Sequence, residues 1–185
     1  VCSSDLEKLH LLAPNDTDLL YTLGLLSLEA QRFDAAEKYL GKLLESGKRK
    51  GEALYYLGRI SQSKGQYEKA VERYKAVKTG EYRFDAQMRS AKLIAIQGKI
   101  DEALEFLNKM TESSQSKTAL VRIYLTRGEI LKQDNRLQDA ISNYDQALEI
   151  IPGNTDLLYA RGLTGESIGN VELLEADMLT ILKTE

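Results

Sequence analysis

Small residues recur along this chain at intervals of 33 to 37 positions, and this recurrence constrains the fold more than any other feature. A second small or apolar residue follows each of them after twelve positions. The first set is Gly24, Gly58, Ala91, Gly128 and Gly162, and the second is Ala36, Ala70, Ala103, Ala140 and Leu174. Two helices that cross closely need small residues where their backbones approach. The five copies therefore predict five pairs of crossing helices and an all-α chain.

Large side chains occupy a fixed place in the second helix of each copy. They stand four residues after the second small position, at Leu40, Tyr74, Leu107, Tyr144 and Met178. Apolar residues spaced three and four apart form one stripe that faces the partner helix. We predict that a bulky residue at Gly58 or Ala70 overpacks the crossing and costs about 1–3 kcal/mol.

Turn and cap residues mark the helix ends. Four of the five copies carry Gly or Asn seven residues after the first small residue, and these types tolerate the left-handed backbone at a helix end. Asn15 or Asp16 can cap the first helix, and Asn154 or Thr155 can cap the first helix of the last pair. These signals predict helix pairs at about 17–30 with 33–45, 51–64 with 67–77, 83–97 with 100–111, 117–133 with 137–150, and 155–168 with 171–183.

The sequence predicts a repeat array at 15–185, with repeats at 17–48, 51–80, 83–113, 117–152 and 155–185. Residues 1–6 look like the translation of a sequencing-adapter oligonucleotide and are interpreted as a non-native scar, the alternative being the end of a genuine helix. Residues 7–14 are interpreted as the remnant of a preceding repeat. We expect an array truncated at both ends, because no polar capping helix follows the last pair. The polar stretch 111–116 is interpreted as a lengthened surface turn, with a hinge as the alternative.

The repeated residues resemble the tetratricopeptide repeat (TPR), a helix-turn-helix unit of about 34 residues. The match is close where Leu-Gly stands at Leu23-Gly24 and Leu57-Gly58, and where Ala147 is followed by Pro152. The departures are the missing aromatic side chains at Leu20, Leu54, Gln87 and Leu158, and the substitution at Leu174. The resemblance covers nearly all of 15–185. It implies an α-solenoid of antiparallel helix pairs, the TPR superhelix, with about five repeats and a partial N-terminal helix.

A narrower resemblance concerns the stretches 154–161 and 173–177. They are similar to a segment of exported proteobacterial TPR proteins. Some of these proteins are outer-membrane lipoproteins that act as protease adaptors, presenting cell-wall hydrolases to a carboxyl-terminal processing protease. This resemblance implies a location at the periplasmic face of the outer membrane, and the alternative location is the cytoplasm.

Residues for catalysis, cofactor binding or metal binding form no pattern in this sequence. The single histidine, His10, lies in the predicted remnant, and Cys2 lies in the adapter-like segment. No Cys/His cluster has metal-ligand spacing, and no glycine-rich phosphate loop is present. We therefore predict that the chain is not an enzyme and that it holds no cofactor and no metal.

Net charge and hydropathy argue against a nucleic-acid partner and against membrane insertion. The formal net charge is −3, and the basic run at 48–50 is short and lacks interleaved aromatic residues. Both features argue against a nucleic-acid partner. No apolar run approaches the roughly 18 residues that span a bilayer, so we predict no direct membrane insertion by this segment. The sequence leaves the oligomeric state open.

The TPR resemblance implies that the first helix of each pair lines a concave groove, which binds a protein or peptide partner. The predicted groove positions fall three residues before and one residue after each small residue, at Tyr21, Leu25, Tyr55, Arg59, Met88, Lys92, Leu125, Glu129, Tyr159 and Leu163. Tyrosine buries a large area yet keeps a polar tip, so it suits partner recognition. Arg59 and Lys92 could take a carboxylate. The alternative is that the tyrosines pack between adjacent helices and that the two basic residues are solvated.

These observations predict a non-catalytic scaffold that binds a partner segment in its groove and, in the narrower form, an adaptor in a bacterial envelope complex. The alternative is the regulatory TPR region of a larger enzyme whose catalytic domain lies outside this chain. In the first case, Tyr55→Ala combined with Arg59→Ala should weaken capture of the partner while leaving the helical signal intact.

Overall fold

The computed structural model describes Ala13 and residues 15–183. Within this part of the chain there are ten α-helices and no strand, so the fold class is all-α, as predicted. The helices are α1 (Thr17–Glu29), α2 (Phe33–Glu45), α3 (Lys50–Ser63), α4 (Tyr67–Lys75), α5 (Arg83–Ile96), α6 (Ile100–Ser113), α7 (Lys117–Gln133), α8 (Leu137–Ile150), α9 (Thr155–Ser167) and α10 (Val171–Leu182). Each end lies within two residues of its predicted position.

Some predictions concern residues beyond this description. The predicted scar at 1–6 lies outside the described residues, and so do Cys2 and His10. Of the predicted remnant at 7–14, only Ala13 is described. The last predicted repeat, at 155–185, is described as far as Lys183.

The helices pack as two compact units, Val1–Leu93 and Ile94–Glu185, and the division between them lies within α5. In the first unit α1 packs against α2, α3 packs against α4, and α2 also contacts α3. In the second unit α7 packs against α8 and α9 packs against α10, while α8 also contacts α9. The first, second, fourth and fifth predicted helix pairs are thus present within the units.

The close helix crossings follow from the small residues. A Cβ atom added at Gly58 would lie only 2.6 Å from Cε1 of Tyr74, so α3 and α4 approach each other where the side chain is absent. The fifth pair departs from this arrangement. There, a Cβ added at Gly162 would lie 3.1 Å from Cδ1 of Leu174, the residue that replaces the usual alanine. The larger side chain at this second position therefore takes up part of the space at the crossing.

The turns within the five pairs share one hydrogen-bonding pattern. The backbone is left-handed at the predicted turn residues Gln31, Gly65, Gly98, Asn135 and Gly169. In each turn the next N–H donates to the carbonyl five residues earlier, as from Arg32 to Ser27 at 2.8 Å. These bonds satisfy carbonyls that the helix end leaves open. Gln31 adopts φ = 56° although it is neither Gly nor Asn, because the same bonds hold its backbone in place.

The helix starts resolve the predicted capping alternatives. Asp16 caps α1, since its Oδ1 accepts from the N–H groups of Asp18 and Leu19, each at 3.0 Å. Asn154 caps α9 by accepting from the N–H of Leu157 at 3.0 Å. Side-chain acceptors at these positions satisfy donors that have no partner within the helix.

The connection between α6 and α7 is shorter than the polar stretch 111–116 suggests. α6 continues to Ser113, because the hydroxyl groups of Thr111 and Ser113 donate to the carbonyls of Leu107 and Met110. Polar side chains at a helix end can thus bond within the last turn instead of leaving it. Ser116 then caps α7, so only residues 114–116 remain as the connection.

The core of the first unit determines which side chains remain at its edge. Its buried members include Leu20, Leu23, Leu40, Leu43 and Ile60. Four larger side chains pack against this core while staying half-buried, and these are Tyr21, Leu28, Phe33 and Tyr56. Leu28, Phe33 and Tyr56 also line the cleft that is described next.

Candidate functional site

A cleft of about 690 Å³ lies at α1, α3 and the turn between α1 and α2, and we call it the α1–α3 cleft. Its lining combines apolar, aromatic and charged side chains. The lining residues are Leu25, Leu28, Glu29, Gln31, Phe33, Tyr56, Arg59 and Ser63. Two predicted groove residues, Leu25 and Arg59, are therefore brought together in one cleft.

The repeat register explains why these two residues share the cleft. Leu25 follows Gly24 and Arg59 follows Gly58, and both glycines face the second helix of their pair. Successive residues on a helix point about 100° apart. The residue after each glycine is therefore turned away from the crossing, and in this unit it points to the cleft.

Four tyrosines form a contiguous group in the first unit, and we call it the tyrosine cluster: Tyr21, Tyr55, Tyr56 and Tyr82. The rings of Tyr55 and Tyr82 are stacked with centroids 4.5 Å apart, and Tyr56 meets Tyr82 edge-on at 5.4 Å. Tyr21 meets Tyr56 edge-on at 5.9 Å. Offset and edge-to-face pairs of this kind add to the stabilisation that burial gives. Since Tyr56 also lines the cleft, the cluster supports one of its walls.

Hydrogen bonds fix the tyrosine cluster. The Tyr55 hydroxyl donates to Oδ2 of Asp85 at 2.5 Å, and Nε of Arg89 donates to the same oxygen at 2.7 Å. The hydroxyl groups of Tyr56 and Tyr82 lie 3.0 Å apart. Burial, and then the bond to Asp85, raise the pKa of Tyr55, so its hydroxyl stays protonated and able to donate at neutral pH.

Two arginine side chains near the cluster differ in their pairing. The Arg49 guanidinium lies 3.8 Å from the Tyr21 ring centroid and forms ion pairs with Asp18 and Glu52. Arg59 is exposed, and its guanidinium carbon lies 5.7 Å from the Tyr56 ring centroid. Arg59 forms no ion pair with any residue in the described part of the chain. The two arginines thus differ in that Arg49 has two ion-pair partners and Arg59 has none among the described residues.

The remaining predicted groove residues of the first unit do not line this cleft. Tyr55 and Met88 are buried, with 6% and 4% of their surface exposed. Tyr21 is half-buried in the tyrosine cluster, beneath Arg49. Lys92 is exposed on α5. In the second and third copies the position three residues before the small residue is thus buried and the position one residue after it is exposed, whereas Tyr21 and Leu25 of the first copy are both half-buried.

In the second unit the predicted groove residues are Leu125, Glu129, Tyr159 and Leu163. Leu125 packs against the core of this unit, and Leu163 is half-buried. Glu129 is exposed, and Tyr159 is one of the exposed large side chains, at 53%. The pocket described in this unit is lined by other residues of α6, α7 and α8.

Sequence reasoning did not select Tyr56, Tyr82, Leu28 or Phe33. Tyr56 stands one residue after a predicted groove position, and the Tyr-Tyr pair at 55–56 is the signal that could have identified it. Tyr82 lies in the connection before α5, outside the repeating positions, so no spacing rule reaches it. Leu28 and Phe33 flank the turn between α1 and α2, where the repeat pattern predicts only turn chemistry.

Two features of the described helices and side chains concern metal sites and membrane-spanning segments. Within residues 15–183, no group of three or more His, Cys, Asp and Glu side chains is arranged to hold a metal ion. None of the ten described helices has both the length and the apolar character needed to cross a membrane.

Two family models match the chain. The model described as "Tetratricopeptide repeat" matches residues 21–81. The model described as "Tetratricopeptide repeat-like domain" matches residues 56–163, which is more than half of the chain. The chain belongs to the tetratricopeptide repeat family. TPR domains are generally non-catalytic scaffolds that bind protein or peptide partners, and this fold supports a scaffold for protein–protein interaction.

This TPR chain is similar to a curated relative and to solved structures. A TPR repeat-containing protein of Pseudomonas aeruginosa is 28% identical over 133 residues, which are 72% of this chain and 22% of the relative. The chain thus spans about a fifth of the length of that relative.

Two solved TPR structures show the same fold at lower identity. YrrB, described as a TPR protein with an unusual peptide-binding site, is 18% identical with a TM-score of 0.60, covering 98% of this chain and 93% of its own. MamA from Desulfovibrio magneticus RS-1 is 17% identical with a TM-score of 0.62, covering 90% of this chain and 93% of its own. At such identities the likeness shows the fold alone.

Proposed function

We propose that this TPR chain is a non-catalytic scaffold that binds an extended segment of a partner protein in the α1–α3 cleft. The observation that carries the proposal is Arg59, whose guanidinium lies near the Tyr56 ring and forms no ion pair with a described residue. An exposed cation beside a fixed aromatic wall is suited to hold a carboxylate or carbonyl oxygen of the partner.

The apolar lining supplies the second half of the site. Leu25, Leu28 and Phe33 are half-buried, so each offers surface to a ligand while being held by the core. The volume of about 690 Å³ lies within the range of pockets that enclose small ligands or anchoring side chains. A partner segment with an apolar anchor next to an acidic or terminal carboxylate therefore fits the cleft.

The tyrosine cluster limits the entropic cost of binding. Tyr56 is held by Tyr21 and Tyr82, and Tyr55 beneath it is hydrogen-bonded to Asp85. A wall that is already ordered before the ligand arrives loses little freedom on binding. This arrangement also alters the test suggested by the sequence, because Tyr55→Ala would remove a buried ring instead of a contact surface.

A charge reversal at Arg59 tests the proposal. Peptides of random sequence displayed on phage are selected on the folded chain, and their affinities are measured by fluorescence anisotropy. We expect Arg59→Glu to weaken the selected peptides by roughly 30-fold, which corresponds to a hot-spot contribution of about 2 kcal/mol. The matched control is Arg83→Glu, an equal charge change at an exposed residue of the same unit that does not line the cleft. Peptides that bind Arg59→Glu as tightly as the parent chain would refute the cleft assignment.

An adaptor role in a bacterial envelope complex, with a location at the periplasmic face of the outer membrane, is the finer form of this proposal. It is supported by the resemblance of 154–161 and 173–177 to exported TPR proteins. Fractionation of cells that produce the full-length protein tests it, and recovery only in the cytoplasm would oppose it.

A regulatory TPR region of a larger enzyme is the second candidate. The relative that the chain matches over 22% of its length is itself described as a TPR repeat-containing protein, and both candidates agree with such a longer polypeptide. The complete reading frame separates the two candidates, since a catalytic domain in the same polypeptide would support the second.

A further inference from the structure

A pocket of about 460 Å³ in the second unit has in its lining two residues that each carry a buried polar atom with no hydrogen-bond partner among the described residues. It lies between α6, α7 and α8. The two atoms are Nε of Arg127, which is a donor, and Oδ1 of Asn143, which is an acceptor, and both are buried. Buried polar atoms in proteins are nearly always hydrogen-bonded, so two orphans in the lining of one pocket require an explanation.

The orientation of Asn143 is fixed by its other end. The side chain is only 3% exposed, and Nδ2 donates to the carbonyl oxygen of Tyr124 at 2.9 Å. Only the nitrogen end of an amide can make this bond, so the unsatisfied end is the oxygen.

In the next repeat the residues at the same two positions form a hydrogen-bonded ion pair. Arg161 and Asp177 stand 34 residues after Arg127 and Asn143, respectively. There, Nε and Nη2 of Arg161 donate to the two carboxylate oxygens of Asp177 at 3.0 and 2.6 Å. In the fourth repeat neither Nε of Arg127 nor Oδ1 of Asn143 has a partner among the described residues, although one is a donor and the other an acceptor. The two positions are therefore paired in the fifth repeat and unpaired in the fourth.

Arg127 also differs in its pairing from the other arginine of the pocket. No described residue forms a hydrogen bond or ion pair with it, and its recorded contact is the Tyr124 ring, 5.2 Å from the guanidinium carbon. Its burial lowers its pKa, because no carboxylate offsets the loss of solvent around the charge. The other arginine of the pocket, Arg136, is by contrast paired with Asp101 and Asp139.

We propose that this pocket binds a carboxamide group of a protein segment, either a main-chain peptide group or the side chain of glutamine or asparagine. The carbonyl oxygen of the carboxamide accepts from Arg127, and its N–H donates to Oδ1 of Asn143. The Arg127 side chain shifts as the ligand enters, because both orphan atoms lie below the surface of the pocket. The site is separate from the α1–α3 cleft and does not depend on the function proposed there.

A carboxylate fits these atoms less well. It could accept from Arg127, but it has no hydrogen to donate to Asn143 and would place negative charge beside a second acceptor. Asp101, Glu105 and Asp139 add further negative charge to the lining. A carboxamide is the group that satisfies both orphan atoms at once.

Nuclear magnetic resonance of the ¹⁵N-labelled chain tests the proposal with three blocked tripeptides, which carry Gln, Glu or Leu between two alanines. The Nε–H signal of Arg127 and the Nδ2 signals of Asn143 are followed during each titration. We expect saturable shifts with the Gln peptide and a dissociation constant on the order of millimolar, since so small a ligand makes few contacts. Equal binding by the Gln and Leu peptides would identify the main-chain group, and binding by the Gln peptide alone would identify the side chain.

Two variants probe the same pocket. Arg127→Met deletes the donor and breaks no hydrogen bond to a described residue. Asn143→Asp supplies the carboxylate that closes the equivalent pair in the next repeat, and it also removes the bond from Nδ2 to the Tyr124 carbonyl, so its folding is checked by circular dichroism. Each should weaken the Gln peptide by about tenfold or more, observed at signals of the pocket that the variant retains. Lys117→Met removes an equal charge at an exposed residue of α7 that does not line the pocket, and it should leave the affinity within about twofold.

Three results would overturn the proposal. One is the absence of a saturable shift with any of the peptides, as expected if Arg127 and Asn143 bond to each other or to water. Another is tighter binding of the Glu peptide than of both others, which would indicate an anion site. The third is an Arg127→Met chain that binds the Gln peptide as tightly as the parent.

Discussion

Replacing Gly58 by alanine tests the close crossing of α3 and α4 on which the repeat rests. The added Cβ would lie 2.6 Å from Cε1 and 2.7 Å from Cδ1 of Tyr74. An ordinary carbon contact begins near 3.4 Å, so the ring must retreat by about 0.8 Å. It cannot do so easily, because Tyr74 is fully buried and its hydroxyl donates to Gln62 at 2.9 Å.

Two opposing effects set the expected size of the change. Overpacking of a well-filled site costs about 1–3 kcal/mol. Alanine in place of glycine within a helix returns about 1 kcal/mol. We therefore expect Gly58→Ala to lower the free energy of unfolding by up to about 2 kcal/mol. In a chain of this length, this corresponds to a fall of up to roughly 8 °C in Tm.

The chain provides a matched control in Gly41→Ala. Gly41 also lies within a helix, but a Cβ added there meets no atom within 4 Å. This variant should keep the propensity gain and raise stability by up to about 1 kcal/mol. A second check is Gly58→Ala in a Tyr74→Ala background. With the ring absent, the alanine should become stabilising relative to that background.

Urea unfolding followed by circular dichroism measures all four variants. A rise in stability for Gly58→Ala equal to that of Gly41→Ala would refute the reasoning, since it would mean that the two backbones are not close. A penalty that persists unchanged in the Tyr74→Ala background would also refute it, because the ring would then not be the cause.

Two further predictions concern the first unit. The pKa of Glu37 is lowered to about 2, chiefly because Arg73 donates to its carboxylate. The ionised carboxylate therefore stabilises the folded state above the unfolded pKa near 4.5, and this stabilisation is lost as the pH falls toward 2. Because the side chain is 28% exposed, solvent screens part of this interaction. We expect Glu37→Gln to cost about 1–2 kcal/mol at pH 7 and almost nothing at pH 2. Urea midpoints measured over a series of pH values check this prediction. Asp16→Ala should cost about 1 kcal/mol, because it removes the cap of α1, whereas Asn15→Ala should leave Tm unchanged.

The fold could be predicted from the sequence because its signals are local and repeat in register. Helix ends depend on caps and turns a few residues away, and the crossings depend on residues twelve and sixteen positions apart. Gln31 shows the limit of residue-type rules, because its left-handed backbone is imposed by the surrounding hydrogen bonds and not by its side chain.

The candidate site could be predicted only in part. Leu25 and Arg59 were predicted from the TPR resemblance, which implies a groove position after each small residue, and both line the α1–α3 cleft. The burial of Tyr55 was not predictable from the repeat, since it depends on Tyr82 from the irregular connection before α5. The exposure of a groove position thus depends on segments whose sequence does not repeat.

The last repeat allows the same reasoning to be tested on a buried charge. Asp177 is 1% exposed, and its two oxygens accept from Arg161, which also donates to Asp145 at 2.6 Å. Arg161→Met would leave the carboxylate buried without its partner and should cost about 3–5 kcal/mol. Adding Asp177→Leu removes that unpaired charge, so the double variant should recover most of the loss in urea unfolding. A double variant as unstable as Arg161→Met would contradict this reasoning. It would show that Arg161 stabilises the fold through packing or through Asp145, and not through its pair with Asp177.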